Sequence, residues 1–473
     1  MHEQIIGFVE TMEALPPVPD TVRLGELGID KKIIVLDDDP TGIQTVNNIS
    51  VYTDWTLDTV REAFRSEEKM FFILTNSRGL GSEESRRQHE CIADNIARAV
   101  KETGQDFILI SRSDSTLRGH YPLETATLRQ RLERELPIRF DGEIICPFFC
   151  EGGRYTINDV HYVREGDALV PAGMTEFAKD KTFGYSSSSL REWCEEKTGG
   201  TFRAESVTSI SLEMIRKADI AGITGKLVEA ANFSKIIVNA ADYADVRIFA
   251  EAYSEALKRG RRFMFRSAAA VPKILGDVKD RPLLTRQELV DPEYGNGGLV
   301  IVGSHVNKTT CQLSRLMELP GIAGIEFDQH RVLQAGGLEQ ESERVSAMAE
   351  RCIAEGRTTV VYTRRERIDL AGAGAEEQLN AAVRISDAVT SVVTNLKVKP
   401  GFIIAKGGIT SSNIGTKALK VKKAKAMGQV LPGIPVWMTG EESKFPGMPY
   451  VIFPGNVGND DALANIVRML TAR

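Results

Sequence analysis

Again and again the chain runs through a short apolar, often β-branched stretch that stops abruptly in small, polar or acidic residues and is followed by a helix-like segment. In the first half the pattern reads IIVLDDDPTG (33 to 42), FFILTNSRG (71 to 79), FILISRSDSTLRG (107 to 119) and EIICPFFCEGGR (143 to 154). The runs KIIVNAAD (235 to 242) and RFMFRSAAA (262 to 270) close that half. In the second half it returns as GLVIVGSHVNKTT (298 to 310), TTVVYTRRE (358 to 366), GFIIAKGGITSSN (401 to 413) and PYVIFPGNVGNDD (449 to 461). Continuous apolar runs of this length, separated by helix-length stretches, are the signature of parallel strands buried on both faces.

The pattern therefore predicts an α/β protein of two domains, each an open, mostly parallel sheet flanked by helices. Between the halves, GDVKDRPLLTRQELVDPEYGNGG (276 to 298) carries charge, two prolines and four glycines. It divides the chain into an N-terminal extension (1–30), a first domain (31–275), a linker (276–297) and a second domain (298–473). No short-period repeat points to a solenoid or propeller.

Composition narrows the function classes. Against 65 Asp+Glu the chain sets 59 Lys+Arg, a net charge of -6, so there is no basic surplus to attract nucleic acid or anionic lipid. No apolar run approaches the ~20 residues that cross a bilayer, and the start lacks the basic and apolar regions of an export leader. Six cysteines scattered through 473 residues do not make a disulfide framework. A cytoplasmic protein with no nucleic-acid or membrane partner is expected, with a homo-oligomer left open.

In open α/β sheets ligands sit beyond the carboxyl ends of the strands, so the residues closing each run matter most. Asp37, Asp38 and Asp39 follow IIVL directly. Like charges crowded at a strand end need a cation, a positive side chain or a helix N-terminus to offset them. They suit a general base or an outer ligand of magnesium; the alternative is an acidic turn capping the next helix. SRSDSTLRG places Arg112, Asp114, Ser115, Thr116 and Arg118 within seven positions, a density fitted to a polyol carboxylate. Arginines grip the carboxylate, hydroxyls and aspartates bond the alcohol groups, and Asp114 is a second candidate base; the alternative is a salt-bridged loop. Arg78 and Arg154 add guanidiniums at two further strand ends.

The second half closes its strands differently, on Gly303-Ser304, on Gly407-Gly408 with Thr410, and on Gly455-Asn456. Small residues let backbone amides approach an anion, which suits phosphates. No loop matches GxxxxGK[ST], and none shows GxGxxG in the context that a dinucleotide fold requires. Lys420, Lys422, Lys423 and Lys425 form a basic run that reads as a solvated helix face. The six histidines are dispersed and no CxxC pair occurs, which speaks against an imidazole or thiolate metal centre; Cys146 and Cys150 read as core.

Taken in order, DDDPTG, TNSR, SDSTLRG, EGGR, VGSHVNKTTCQ, KGGITSSN, LPGIPV and FPGNVGNDDAL resemble the four-carbon acid sugar kinases, over nearly the whole chain. The resemblance implies an N-terminal substrate domain, a C-terminal nucleotide domain, ATP with Mg2+ as cofactors, and phosphorylation of a terminal hydroxyl on threonate, erythronate or a 3-oxo-tetronate. Carried over position by position, it implies catalytic Asp39 and Asp114, substrate contacts by Asp38, Arg78, Ser115, Thr116, Arg118 and Arg154, and nucleotide contacts by Ser304, Gly407, Gly408, Thr410, Gly455 and Asn456. Closure would bring the hydroxyl and the γ-phosphate into line. The chain departs from the family pattern at Asp37, Pro40 and Arg112 on the substrate side. On the nucleotide side it departs at His305-Val306, Ile409 and Phe453-Pro454. These departures leave two alternatives: a kinase of a different hydroxy acid, or a nucleotide-binding regulatory protein without catalysis.

Overall fold

The computed structural model describes residues 4–19, 27–366, 368, 375–455 and 457–472. The chain divides into two compact units, one made of Met1–Val46 with Asp54–Asp280 and the other of Asn47–Thr53 with Arg281–Arg473.

The first unit is organised on seven parallel strands in the spatial order Thr208–Ile210, Ser234–Val238, Gly142–Cys146, Phe263–Ser267, Phe107–Arg112, Lys32–Asp37, Met70–Leu74. Every residue of Lys32–Asp37, Met70–Leu74 and Phe107–Arg112 is buried, as strands covered by helices on both faces require. The helix Ser82–Thr103 buries Gln88, Ile92, Ala93 and Ile96 along one stripe and ends on Gly104 in the left-handed conformation at φ 69°, the helix stop that glycine permits without a Cβ clash. The chain passes from the strand at 32 to its neighbour at 70 and then crosses to the other side, at 107. The strand order therefore reverses between Lys32–Asp37 and Phe107–Arg112, and that reversal opens a crevice at their carboxyl ends.

Two features of this unit were not anticipated. Residues 154–171 form a small antiparallel sheet, Arg154–Ile157, Val160–Glu165 and Ala168–Pro171, and the N-terminal extension adds Ile6–Gly7 as its edge strand. The extension is anchored further by Phe8, whose ring lies under the Arg164 guanidinium at 3.7 Å.

In the second unit the order is Ile49–Tyr52, Lys423–Leu431, Ile434–Thr439, Pro449–Phe453, Ile403–Lys406, Leu299–Val302, Thr359–Thr363, Ala323–Phe327. The last five run parallel and the first three antiparallel. The reversal here falls between Leu299–Val302 and Ile403–Lys406, so the second crevice opens beside Gly303 and Gly407.

Three local readings need correction. The stretch 276–297 is more than a connector: Leu284, Leu289 and Val290 are buried in the core of the second unit, and the short helix Arg286–Leu289 starts on a Thr285/Glu288 capping box. The basic run leads into a strand rather than a helix face, because buried residues alternate along Lys423–Leu431. Cys146 is buried, but Cys150 is exposed at the turn into the small sheet. Among the described residues no helix is long and apolar enough to cross a membrane.

Candidate functional site

At the first crevice the strand ends deliver carboxylates and guanidiniums into one cluster. Asp37 Oδ1 accepts from Arg112 Nη1 at 2.9 Å, and burial pushes the Asp37 carboxyl up to about 7 against the pull of Arg112. Its seat depends on Gly42, since a Cβ there would lie 2.0 Å from Asp37 Oδ2. Asp38 Oδ2 accepts from Ser113 Oγ at 2.6 Å, while Oδ1 is buried with no hydrogen-bond partner. Arg78 and Arg112 stand 3.6 Å from that oxygen, and burial raises the Asp38 pKa.

Asp39 is the accessible member of the three, its side chain 23% exposed against 2% for Asp38. It pairs with Arg78 Nη2 at 2.5 Å and accepts from the Thr41 backbone at 2.8 Å. Burial works to raise its pKa, but Arg78 and the Thr41 bonds outweigh it and hold the carboxyl below its usual range. The acidic turn thus caps the following backbone and faces the crevice at once.

Arg78 reaches across to Asp114 at 3.3 Å. Asp114 also accepts from Arg118 Nε at 2.7 Å and from the Thr116 hydroxyl. Burial opposes them, yet Arg78 and Arg118 hold Asp114 far below the usual carboxylate range. Ser115 is buried in the same loop; its carbonyl accepts from Nε2 of His161, a ring that burial pushes down to about 4. The loop closes on Gly119 at φ 123°, where a Cβ would meet Ser113 Oγ at 2.8 Å and Arg266 Nη2 at 2.9 Å.

Arg118 and Arg154 share one aromatic platform, their guanidiniums 5.1 and 5.5 Å from the centre of the Phe177 ring. Arg118 also lies 3.7 Å from Asp180. Arg154 Nε is buried without a hydrogen-bond partner, and burial lowers its pKa despite Asp114 nearby. The expected substrate-side residues Asp38, Asp39, Arg78, Asp114, Thr116, Arg118 and Arg154 therefore gather in one cluster, joined by Arg112, Phe177 and Asp180. Arg112 stands in SDSTLRG's own strand end, whereas nothing local in FAKD marks Phe177 or Asp180.

At the second crevice a cavity of about 520 Å³ is lined by Gly303, His305, Gln329, Thr363, Ile409 and Thr410, with Ile385 and Val389 of the helix Ala375–Asn395. A Cβ on Gly303 would lie 2.5 Å from Thr410 Oγ1, one on Gly407 3.3 Å from Ser304 Cβ, and one on Gly455 3.4 Å from Ser304 Oγ. Ser304, Gly407, Thr410 and Gly455 thus converge, and Gly408 begins the adjoining helix Gly408–Asn413. Asn456 lies outside the described residues. The bare, close-set backbone leaves room for an anionic group to approach, and the cavity beside it mixes polar His305, Gln329, Thr363 and Thr410 with apolar Ile385, Val389 and Ile409.

Lys406, immediately before Gly407, was not singled out from sequence although it closes its strand. It is fully buried; Nζ donates to the carbonyls of Pro454 at 2.6 Å and Gly455 at 3.2 Å. Burial, and then Lys308, push its pKa down to about 7. Among the described residues no group of three His, Cys, Asp or Glu is arranged to hold a metal ion.

Residues 33–275 match the model of a sugar-binding N-terminal domain, and residues 299–463 that of a nucleotide-binding C-terminal domain. The fold is similar to that of a Salmonella typhimurium LT2 protein provisionally named a tRNA synthase, at 16% identity over 93% of this chain and 99% of the other, with a TM-score of 0.65. It is also similar to Haemophilus influenzae protein HI1011 of the DUF1537 family, at 17% identity over 92% of this chain and all (100%) of the other, with a TM-score of 0.59. At these identities the likeness speaks for a shared fold alone. No curated protein matches the chain.

Proposed function

The chain belongs to the family built on a sugar-binding N-terminal domain, joined here to a nucleotide-binding C-terminal domain, and on that premise we propose that it is an ATP-dependent kinase of a four-carbon sugar acid. The observation that carries this is the pairing of two unlike crevices in one chain. One is lined by carboxylates and guanidiniums, the other by glycines beside the buried Lys406.

In this reading the first unit holds the acid. Arg118 and Arg154, spread on Phe177, take the carboxylate, since a guanidinium fork matches its two oxygens. Asp38, Ser115 and Thr116 face the alcohol groups. Asp39 orients the attacking hydroxyl and accepts its proton, being the most exposed of the three adjacent aspartates. Asp114, bound by three donors in the native cluster, positions Arg78 and Arg118 instead. A base of low pKa suffices because phosphoryl transfer passes through a loose transition state in which positioning and charge stabilisation do most of the catalysis.

The second unit holds the nucleotide at Ser304, Gly407, Gly408, Thr410 and Gly455, with Asn456 as a further candidate. Magnesium, when bound, would neutralise charge on the transferred group, and its usual ligands are phosphate oxygens, water and one or two carboxylates.

The test is ADP release from ATP and magnesium against D- and L-threonate, D-erythronate, their 3-oxo forms, and acids of three to six carbons. Turnover on a four-carbon acid is expected. Turnover only on an acid of another length transfers the assignment to a different hydroxy acid, and ATP binding without turnover on any acid contradicts the kinase.

A further inference from the structure

The turn after the strand Thr359–Thr363 carries two arginines in unlike surroundings. Arg364 stands among carboxylates, with Asp328 at 3.4 Å, Glu366 at 3.6 Å and Glu326 at 3.8 Å. Arg365 turns away from them. Its Nη2 donates to the Ser304 carbonyl at 2.7 Å and to Thr310 Oγ1 at 2.9 Å, and its Nε donates to the same hydroxyl at 3.2 Å. Its Nη1 is buried with no hydrogen-bond partner. Among the described residues no carboxylate pairs with it, and burial alone, unopposed by a neighbouring anion, lowers its pKa.

A chain of contacts links this half-buried guanidinium to a fully buried cation, Lys406. Ser304 Oγ and Thr309 Oγ1 lie 3.3 Å apart, Thr309 Oγ1 donates to the Gly455 carbonyl at 3.1 Å, and that carbonyl also accepts from Lys406 Nζ at 3.2 Å. Lys308, in the same turn as Thr309, adds positive charge near Lys406. Desolvating Lys406 and one edge of the half-buried Arg365 without a counter-charge is costly, and the cost is offset when an anion binds beside them.

We propose that Arg365 is a phosphate-binding residue of the second unit. Its guanidinium, held in place by Ser304 and Thr310, takes the phosphate chain of a nucleoside di- or triphosphate, with Lys308 and Lys406 completing the counter-charge. The inference rests on the nucleotide placement above and adds to it the residue that selects for phosphate over nucleoside.

Calorimetric titration of the full chain with ADP, AMP, adenosine and pyrophosphate tests it, using wild type, Arg365→Met and Arg365→Lys. For Arg365→Met, affinity for ADP and pyrophosphate is expected to fall by at least about tenfold, the loss of one charge-assisted bond, with adenosine changed less than about twofold. Arg365→Lys keeps the charge without the fork and is expected in between; it also serves if Arg365→Met does not fold. Wild-type ADP affinity retained by Arg365→Met overturns the inference. Pyrophosphate binding that depends on Arg365, without nucleotide binding, leaves the residue assigned and overturns the nucleotide placement. Binding of neither ligand by wild type overturns both.

Discussion

The two crevices sit at equivalent places, each where strand order reverses in a mainly parallel sheet, yet they hold their charge in opposite ways. In the first, Asp37, Asp38, Asp39 and Asp114 are answered by Arg78, Arg112 and Arg118 within 4 Å. In the second, Lys406 and Arg365 donate hydrogen bonds to carbonyl and hydroxyl oxygens, Lys406 Nζ also lies 3.8 Å from the centre of the Phe453 ring, and among the described residues no carboxylate pairs with either. A crevice already neutralised by its own side chains admits a ligand by exchanging bonds, so geometry decides what enters. A crevice with cations left over attracts an anion by charge, and specificity must come from the cavity beside it. A discriminating acid site and a general phosphate site need just this division.

The comparison is most exposed at Arg78, the cation shared by Asp38, Asp39 and Asp114. Removing one partner of a buried ionic cluster costs about 3–5 kcal/mol, so Arg78→Met is expected to lose that much in urea unfolding and to lose acid turnover. A loss under about 1 kcal/mol would mean that the cluster is slack. Gly407→Ala comes next. At φ 120°, with Ser304 Cβ 3.3 Å from the added methyl, the strain is of order 1–3 kcal/mol, and ADP affinity is expected to drop about tenfold or more with acid binding unchanged.

Each crevice also holds one group that burial has moved to about 7, with opposite consequences. Asp37 is raised, so its share of stability is present below the ordinary carboxylate range and fades as pH climbs through 7. Lys406 is lowered from 10.5; between pH 7 and 10.5 the unfolded chain binds the extra proton, and stability from this group rises with pH. In Lys406→Met that rise is expected to vanish from melting temperatures measured across pH 7 to 10, while the acid-side titration persists. The smallest effect belongs to Phe177→Leu. Loss of two cation–π contacts of about 0.5–1 kcal/mol each loosens Arg118 and Arg154, raising KM for the acid several-fold with kcat retained. A fall in kcat at unchanged KM would contradict a positioning role.

The long strands were legible because burial on both faces makes them continuous apolar runs, and their ends were legible because charge or glycine replaces apolar residues abruptly, as at Leu36-Asp37 and Val302-Gly303. Ile49–Tyr52 was not, since a four-residue strand that pairs antiparallel with Lys423–Ala426 of a distant segment carries no local mark of its partner. Phe177 and Asp180 reach the site from a connecting segment, and only tertiary packing places them. Arg365 and Lys406 did lie at strand ends, in TRRE and KGG; what singles them out is the missing counter-charge, which no sequence pattern displays.

The division of labour is tested most directly by titrating ADP and, separately, D-threonate, L-threonate and D-erythronate into wild type, Arg78→Met and Gly407→Ala by calorimetry. Arg78→Met is expected to lose the acid and keep ADP within about twofold, while Gly407→Ala does the reverse. Loss of both ligands in either folded variant, or of neither in both, would contradict it.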